Sequence, residues 1–243
     1  MINVIETKNL VKKFGDFCAV DDLSLNIEEG KITALLGPNG AGKTTTIQMM
    51  LDIITPTSGE IRIFGKPMHE NREEILSQLN FSSPYVQLPG NLTVMENLKT
   101  FARLYGVKDI KKRIEELADY FEIRNLLKKM TSSLSTGQLT RVNLTKAFLN
   151  EPKLLLLDEA TASLDPDIAD KTRKVLKKIQ KERNVSILYT SHNMIEIEEL
   201  CDKVIFINNG KLREEGTPEE LIKRFGHKDL NEVFLEIARE DDK

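Results

Sequence analysis

Ile32-Thr33-Ala34-Leu35-Leu36-Gly37-Pro38-Asn39-Gly40-Ala41-Gly42-Lys43-Thr44 is the stretch that decides the fold. A short β-rich run ends abruptly at Gly37. After Lys43 the pattern turns helical, with Ile47, Met50 and Leu51 on one side and polar residues between. The loop between them fits the spacing Gly, four residues, Gly, Lys, then Ser or Thr, and phosphate binding explains each piece. Glycines let the backbone curl so that successive N–H groups face inward toward phosphate oxygens. The helix that follows adds its positive N-terminal end. Lys43 would bridge β- and γ-phosphates, the Thr44 hydroxyl would ligate Mg²⁺, and Thr45 would donate to the α-phosphate. Gly37, Pro38, Asn39, Gly40, Ala41, Gly42, Lys43, Thr44 and Thr45 are therefore candidate nucleotide-binding residues. A chance glycine-rich turn is the competing reading, and a position between a β run and a helical run argues against it.

Working outward, Val4 to Gly65 reads strand, strand, turn, strand, loop, helix, strand, the last being the alternating run Gly59-Glu60-Ile61-Arg62-Ile63-Phe64-Gly65. From about Thr93 to Asn150 the chain looks almost wholly helical. Leu98, Phe101, Leu104 and Tyr105 recur at helical intervals, as do Ile114, Leu117, Ala118 and Phe121. Lys111, Lys112, Arg113, Glu115 and Glu116 fill the opposite face and read as a solvated surface. Strand character returns at Lys153 to Leu157, Val185 to Thr190 and Lys203 to Ile207, with helices over Asp167 to Arg183 and Met194 to Cys201. Strands alternating with helices predict an α/β fold with a mostly parallel sheet covered on both faces. Two short helices, Pro218 to Arg224 and Leu230 to Ala238, close the chain.

Composition sets bounds on this reading. A chain of 243 residues can bury a sizeable core, and 40% hydrophobic with 30% charged residues is the balance of a globular protein. With 35 Lys+Arg against 38 Asp+Glu the formal net charge is -3, which offers no long-range attraction to nucleic acid, and no nucleic-acid partner is expected. Cys18 and Cys201 lie far apart and outside metal-ligand spacing, so they read as reduced thiols. Met1 to Leu10 is polar and does not read as a secretory signal. The densest apolar stretch, Leu154 to Leu157, is only strand length, so nothing here is expected to cross a bilayer.

That stretch continues Leu154-Leu155-Leu156-Leu157-Asp158-Glu159, a buried-looking strand that ends in two acids. Alone, such a pair is often the solvated start of a turn. Downstream of a phosphate loop, Asp158 reads as the holder of Mg²⁺ through water, and Glu159 as the group that orients the attacking water in line with the γ-phosphate.

Leu134-Ser135-Thr136-Gly137-Gln138 resembles the signature motif of ATP-binding cassette (ABC) proteins, usually Leu-Ser-Gly-Gly-Gln, and lies shortly before the carboxylate strand as in that family. Ala160-Thr161-Ala162-Ser163-Leu164-Asp165 resembles the family's D-loop, and Thr190-Ser191-His192 its switch-histidine loop. Phe14-Gly15 stands where the family places an aromatic residue against the adenine, although a lone Phe is more often core. The resemblance covers roughly Ile5 to Leu221. It implies a P-loop NTPase of the ABC cassette type: a mostly parallel core sheet, an antiparallel β subdomain and an inserted helical subdomain at about 85–150. Residues 1–221 would form the ATPase domain and 222–243 a short helical extension.

The resemblance also implies a mechanism. Ser135, Gly137 and Gln138 at a helix start make a second anion site. In the family that site closes, head to tail, on the ATP of a sister subunit, so a homodimer sandwiching two ATP molecules is expected. Asp165, at the end of the D-loop, is a further expected nucleotide-binding residue, and His192 would contact the γ-phosphate and hold Glu159 and the water in register. Lys43, Glu159 and His192 are thus the expected catalytic residues, with Thr44 and Asp158 on the metal. His69 and His227 lack such context and read as exposed. Two departures stand out. Thr136 replaces the first glycine of the signature pair, a mild change. In Phe81-Ser82-Ser83-Pro84-Tyr85, anchored by Leu92-Thr93-Val94-Met95-Glu96-Asn97-Leu98, Pro84 stands where the family's Q-loop glutamine is expected. Either Ser83 or Gln87 substitutes or the contact is absent; we favour a looser Mg²⁺ shell with water in place of the amide.

The tail, Gly216-Thr217-Pro218-Glu219-Glu220-Leu221 and then Leu230-Asn231-Glu232-Val233-Phe234-Leu235, resembles the ending of cassettes from two-gene (ABC-2) exporters. The expectation is an ATP-hydrolysing subunit at the cytoplasmic face of the cell membrane that drives a separate integral membrane permease, docked near Ser83 to Leu92. The alternatives are a soluble ABC-type ATPase with a non-transport role and a binding-only regulator with weakened hydrolysis. Soluble members of the first kind usually carry paired cassettes, basic extensions or a zinc insert, none of which is found in this sequence.

Overall fold

The computed structural model describes residues 2–84 and 86–240. The chain forms two compact units, one running to Leu76 and resuming at Ser186, the other comprising Ser77–Val185.

The first unit begins with an antiparallel hairpin, β1 (Asn3–Phe14) and β2 (Phe17–Glu28), that brings Phe14 opposite Phe17. Gly15, at φ +59°, allows the tight reversal between them. Alternation puts Ile5, Leu10, Val20, Leu23 and Ile27 inside, where they are fully buried. Next come β3 (Ile32–Leu36), α1 (Lys43–Met50), β4 (Ser58–Ile63), β5 (Lys66–Pro67) and α2 (Arg72–Ser77). β4 and β5 extend the hairpin into an antiparallel sheet of order β2-β1-β4-β5.

The second unit contains β6 (Leu79–Ser82), α3 (Val94–Leu104), α4 (Ile110–Tyr120), α5 (Thr136–Ala147), β7 (Leu154–Asp158) and α6 (Pro166–Arg183). β6 and β7 pair in parallel, from Leu79 opposite Leu154 to Ser82 opposite Leu157. Thr93 starts α3 with a reciprocal capping box closed by Glu96, which satisfies two helix-end N–H groups. Leu98, Ala102, Ile114, Leu117, Ala118, Val142 and Leu144 form the buried face of α3, α4 and α5, closed by Phe121 stacked on Phe148.

The chain then returns through β8 (Ser186–Thr190), α7 (Met194–Leu200), β9 (Lys203–Asn208), β10 (Lys211–Gly216), α8 (Pro218–Phe225) and α9 (Leu230–Glu240). β3 lies between β8 and β9, parallel to both, and β10 runs antiparallel to β9. β3 and β8 are buried at every position, the mark of strands covered on both faces. α9 buries Leu230, Val233 and Ile237 and sets Phe234 against Phe206. Parallel strands, an antiparallel hairpin sheet and a run of helices are the α/β architecture the sequence predicts. Among the described residues, no helix is long and apolar enough to cross a membrane.

Three side chains differ from expectation. Arg113, placed by periodicity on a solvated face, is only 6% exposed. Its Nη2 donates to the Phe148 carbonyl at 2.6 Å and its Nη1 to Glu116 at 3.1 Å, with Glu151 also within ion-pair range. The reason lies at the end of α5, whose last carbonyls lack intrahelical partners and take the guanidinium fork instead. Leu104, counted in the apolar stripe, faces solvent because the helix ends there. His227 is half-buried rather than exposed, held between Glu232 and Glu236.

This packing yields two tests of stability. Arg113→Ala leaves the buried Phe148 carbonyl without its guanidinium donor, while the more exposed Glu116 and Glu151 keep Arg183, and should cost about 2 kcal/mol in chemical denaturation, with Arg113→Lys recovering only part. Lys146, buried on α5 with its ammonium 5.3 Å from the centre of the Phe101 ring, is held below the ordinary lysine value by desolvation. The folded chain therefore gives up this proton before the unfolded chain does, and stability rises with pH between the lowered folded value and the ordinary one. The stability of wild type relative to Lys146→Met should increase across that alkaline window, measured by denaturant titration at a series of pH values.

Candidate active site

The phosphate-loop residues lie between β3 and α1 in the first unit. Ala41 N donates to Pro38 O at 3.2 Å, and Thr46 closes the first helical turn onto Gly42 O through both its N–H and its hydroxyl. Two glycines are required by space. A Cβ on Gly37 would lie 2.2 Å from Ile207 O, and one on Gly42, at φ +99°, would lie 2.5 Å from Ala19 O. From outside, Gly210 N donates to Ala41 O at 3.1 Å while Gly210 O accepts from Asp21 N at 3.0 Å. The loop is thus clamped by the β1–β2 hairpin and the β9–β10 turn.

Lys43 folds back over the loop, its Nζ donating to Gly37 O at 2.7 Å and Pro38 O at 3.1 Å. Gly42 is the N-cap of α1 and supplies no side-chain acceptor, and no acid sits in the first turn. The positive end of α1 is therefore not neutralised by its own sequence. Asn39, Gly40 and Thr44 are exposed, Pro38 and Thr45 half-buried, and Ala41 buried.

Phe14 is not core: it is 50% exposed, and the Lys12 ammonium lies 5.0 Å from its ring centre. His192 is exposed just past β8. Its neighbours are fixed by a local network in which Ser191 Oγ donates to Glu196 Oε2 at 2.7 Å and accepts from Asn193 N at 3.1 Å. Glu196 N donates to Asn193 Oδ1, capping α7. The buried Glu196 and the cap Asn193 are supporting residues that sequence reasoning missed, although Asn before a helix with Glu three residues on is a readable cap signal.

The other predicted residues belong to the second unit. All four leucines of β7 are fully buried, and Asp158 is the first residue of the strand to reach solvent. Glu159 follows at φ +49°, a left-handed conformation uncommon for a side-chain-bearing residue. That break ends the strict alternation of the strand, the condition under which two successive acids can serve one site. Ala162 N then donates to Glu159 O and Leu164 N to Thr161 O, which curls the chain toward Asp165. Asp165 is the exposed N-cap of α6, its carboxylate not engaged in capping that helix.

Ser135 caps α5. Gln138 N donates to Ser135 Oγ and Ser135 N donates to Gln138 Oε1, both at 3.3 Å, a long and readily exchanged box. Thr136 projects into the open at the first helical position, so replacing glycine there obstructs nothing in this chain. A Cβ on Gly137 would reach Ser163 O at 3.4 Å, and Thr140 Oγ1 lies 2.7 Å from Ser163 Oγ. The signature helix and the D-loop are therefore in direct contact within one unit.

In the 83–87 loop, Ser83 is buried and its carbonyl accepts from Val86 N, while Gln87 is exposed. Tyr85, in the same loop, lies outside the described residues. Among the described residues no cluster of three or more His, Cys, Asp or Glu could hold a metal. Thr44 in the first unit and Asp158 in the second each offer a hard oxygen donor, a hydroxyl and a carboxylate, of the kind Mg²⁺ prefers.

A family model described as ABC transporter matches residues 20–162. The chain belongs to the ABC transporter family. Over 244 residues it is 39% identical to the bacitracin transport ATP-binding protein BcrA of Bacillus licheniformis, covering 99% of this chain and 76% of that one. It is 34% identical over 220 residues to the ABC transporter ATP-binding protein NatA of Bacillus subtilis (strain 168), covering 89% of each. The solved structure of an ATP-binding subunit of an ABC transporter superposes with a TM-score of 0.89 at 28% identity, over 97% of this chain and 99% of that one. A dimeric bacterial ABC transporter cassette, MJ0796, gives 0.80 at 25% identity, over 88% and 98%. This ABC protein is accordingly an ATP-binding subunit and an ATPase with the cassette fold, as Ser135-Thr136-Gly137-Gln138 led us to expect.

The crowding at Gly42 yields a direct test. Gly42→Ala should abolish ATP binding, read with a fluorescent nucleotide, because the added methyl and the left-handed backbone cannot both be accommodated without opening the loop.

Proposed function

We propose that this ABC subunit powers an exporter by ATP-driven head-to-tail homodimerisation at the cytoplasmic face of the membrane. It acts on a separate integral membrane permease that docks near Ser83 to Leu92. The observation that carries this reading is the pair of helix N-termini in one chain: the side-chain-free start of α1 at Gly42 and the exposed start of α5 at Ser135. One phosphate loop and one signature per chain make a twofold pair the simplest closed arrangement. The export direction rests on the tail from Gly216 onward and on relatives such as the Nod factor export ATP-binding protein I of Cupriavidus metallidurans, 33% identical over 236 residues and spanning 96% of this chain and 78% of that one.

In this reading the backbone of Gly37, Pro38, Asn39, Gly40, Ala41 and Gly42 cradles the phosphates, and Lys43 leaves Gly37 O and Pro38 O for the β- and γ-oxygens. Thr45 donates to the α-phosphate and Phe14 stacks on the adenine. Thr44 and, through water, Asp158 would hold Mg²⁺, which when bound would neutralise charge on the phosphates. Glu159 orients the attacking water and His192 keeps that water and the γ-phosphate in register. Ser135, Gly137 and Gln138 of the sister molecule close over the γ-phosphate, with Asp165 at the interface. Residues 1–221 are the ATPase domain, about 85–150 its helical lobe, and 222–243 a helical extension, of which 241–243 lie outside the described residues.

One observation favours a second reading, a binding-only regulator: Pro84 carries no amide where the Q-loop glutamine is expected, and Ser83 is buried. The exposed Gln87 or a water then completes the Mg²⁺ shell if hydrolysis is retained. Glu159→Gln separates the two readings. As a transport ATPase the variant should lose turnover by about 100-fold or more. It should also elute as a dimer with ATP in size-exclusion chromatography, whereas a regulator would show no turnover to lose.

A further inference from the structure

Asn143 stands two turns along α5 from Ser135 and is only 2% exposed. Its Nδ2 donates to the carbonyl of Val86 at 2.9 Å, in the loop that carries Pro84 and Gln87. Its Oδ1 is buried and has no hydrogen-bond partner among the described residues. The amide orientation is fixed by chemistry, since turning it over would set Oδ1 against the Val86 oxygen. Half of this amide is therefore spent on one backbone carbonyl and the other half is a buried polar atom without return. As a packing residue it is a poor choice, because leucine has nearly the same shape and no orphaned oxygen.

The surroundings give the bond a purpose. The loop accepts it through a backbone carbonyl, with Pro84 contributing no N–H at the glutamine position and Gln87 turned to solvent. The link between loop and helix is thus made by the helix. On the same helix Ser135 leads the proposed anion lid, and Thr140, lying between Ser135 and Asn143 in sequence, holds Ser163 of the D-loop at 2.7 Å. Eight residues of α-helix place Asn143 about 12 Å along the axis from Ser135, a span a helix carries without bending. We propose that Asn143 is a positioning residue that latches the 83–87 loop to the signature helix, so that docking of the membrane subunit on the loop is passed to Ser135. This rests on the transport reading above, and the two can fail separately.

The test uses the intact transporter, purified with its own membrane subunits and reconstituted in vesicles, beside the isolated ATPase subunit. ATP turnover is measured for both, together with melting temperature, for wild type, Asn143→Leu and Asn143→Asp. Asn143→Leu should melt at or above wild type and keep the turnover of the isolated subunit, yet lose stimulation by the membrane subunits by at least about fivefold. Asn143→Asp, which keeps the shape but cannot donate, should lose stimulation likewise. Wild-type stimulation in either variant overturns the proposal. So does a matching fall in melting temperature and isolated turnover in both, which would mark Asn143 as structural. A wild-type complex that hydrolyses no ATP would instead bring down the transport reading and this latch with it.

Discussion

A strand buried on both faces has nowhere along its length to keep a charged group, because removing a carboxylate or ammonium from water without a partner costs several kcal/mol. Chemistry must wait until the strand ends. In the first unit β3 runs fully buried and then opens into the loop that carries Lys43, and β8 does the same before His192. In the second, the leucines of β7 are buried up to Asp158 and Glu159. Each strand has a parallel neighbour and delivers its polar residues from its carboxyl end, the edge where ligands gather in open α/β sheets. Within each unit, the burial that stabilises the strands is what sends the functional groups to their carboxyl ends.

α5 shows the same economy in another form. Its second half is buried almost all round, although Thr140, Asn143, Thr145 and Lys146 are polar. Each has a specific neighbour: Ser163, the Val86 carbonyl, the Arg141 carbonyl and the Phe101 ring. Arg113 takes the carbonyls at its far end. A helix held by directional bonds at both ends and on its flank moves as a rod. That property suits an element whose exposed tip is proposed to meet a nucleotide held by a sister molecule.

Much of this is legible in the chain. The switch from a β run to helical spacing at Gly37–Lys43 locates β3 and α1, and the four leucines before Asp158 locate β7, because these signals are local. β10 is not, since Lys211-Leu212-Arg213-Glu214-Glu215-Gly216 offers one apolar side chain and the charges typical of a sheet edge. β6 and α2 span four and six residues, too few for either period to declare itself. Periodicity misplaces Arg113 because its partner, the Phe148 carbonyl, lies 35 residues away, and helical spacing on α4 carries no trace of where α5 ends. Asn143 escapes for a related reason: its partner is a backbone carbonyl, and a carbonyl has no signature in sequence. Motifs reveal groups that meet a ligand; the groups that hold those motifs in place must be seen in three dimensions.

The backbone at Glu159 carries an evolutionary implication. A left-handed conformation costs a side-chain-bearing residue about 1 kcal/mol relative to glycine. A selection for heat resistance alone would therefore favour Glu159→Gly, which discards the group assigned to water orientation. Persistence of glutamate in so uncomfortable a geometry would be a sign that lineages are filtered by turnover rather than by robustness.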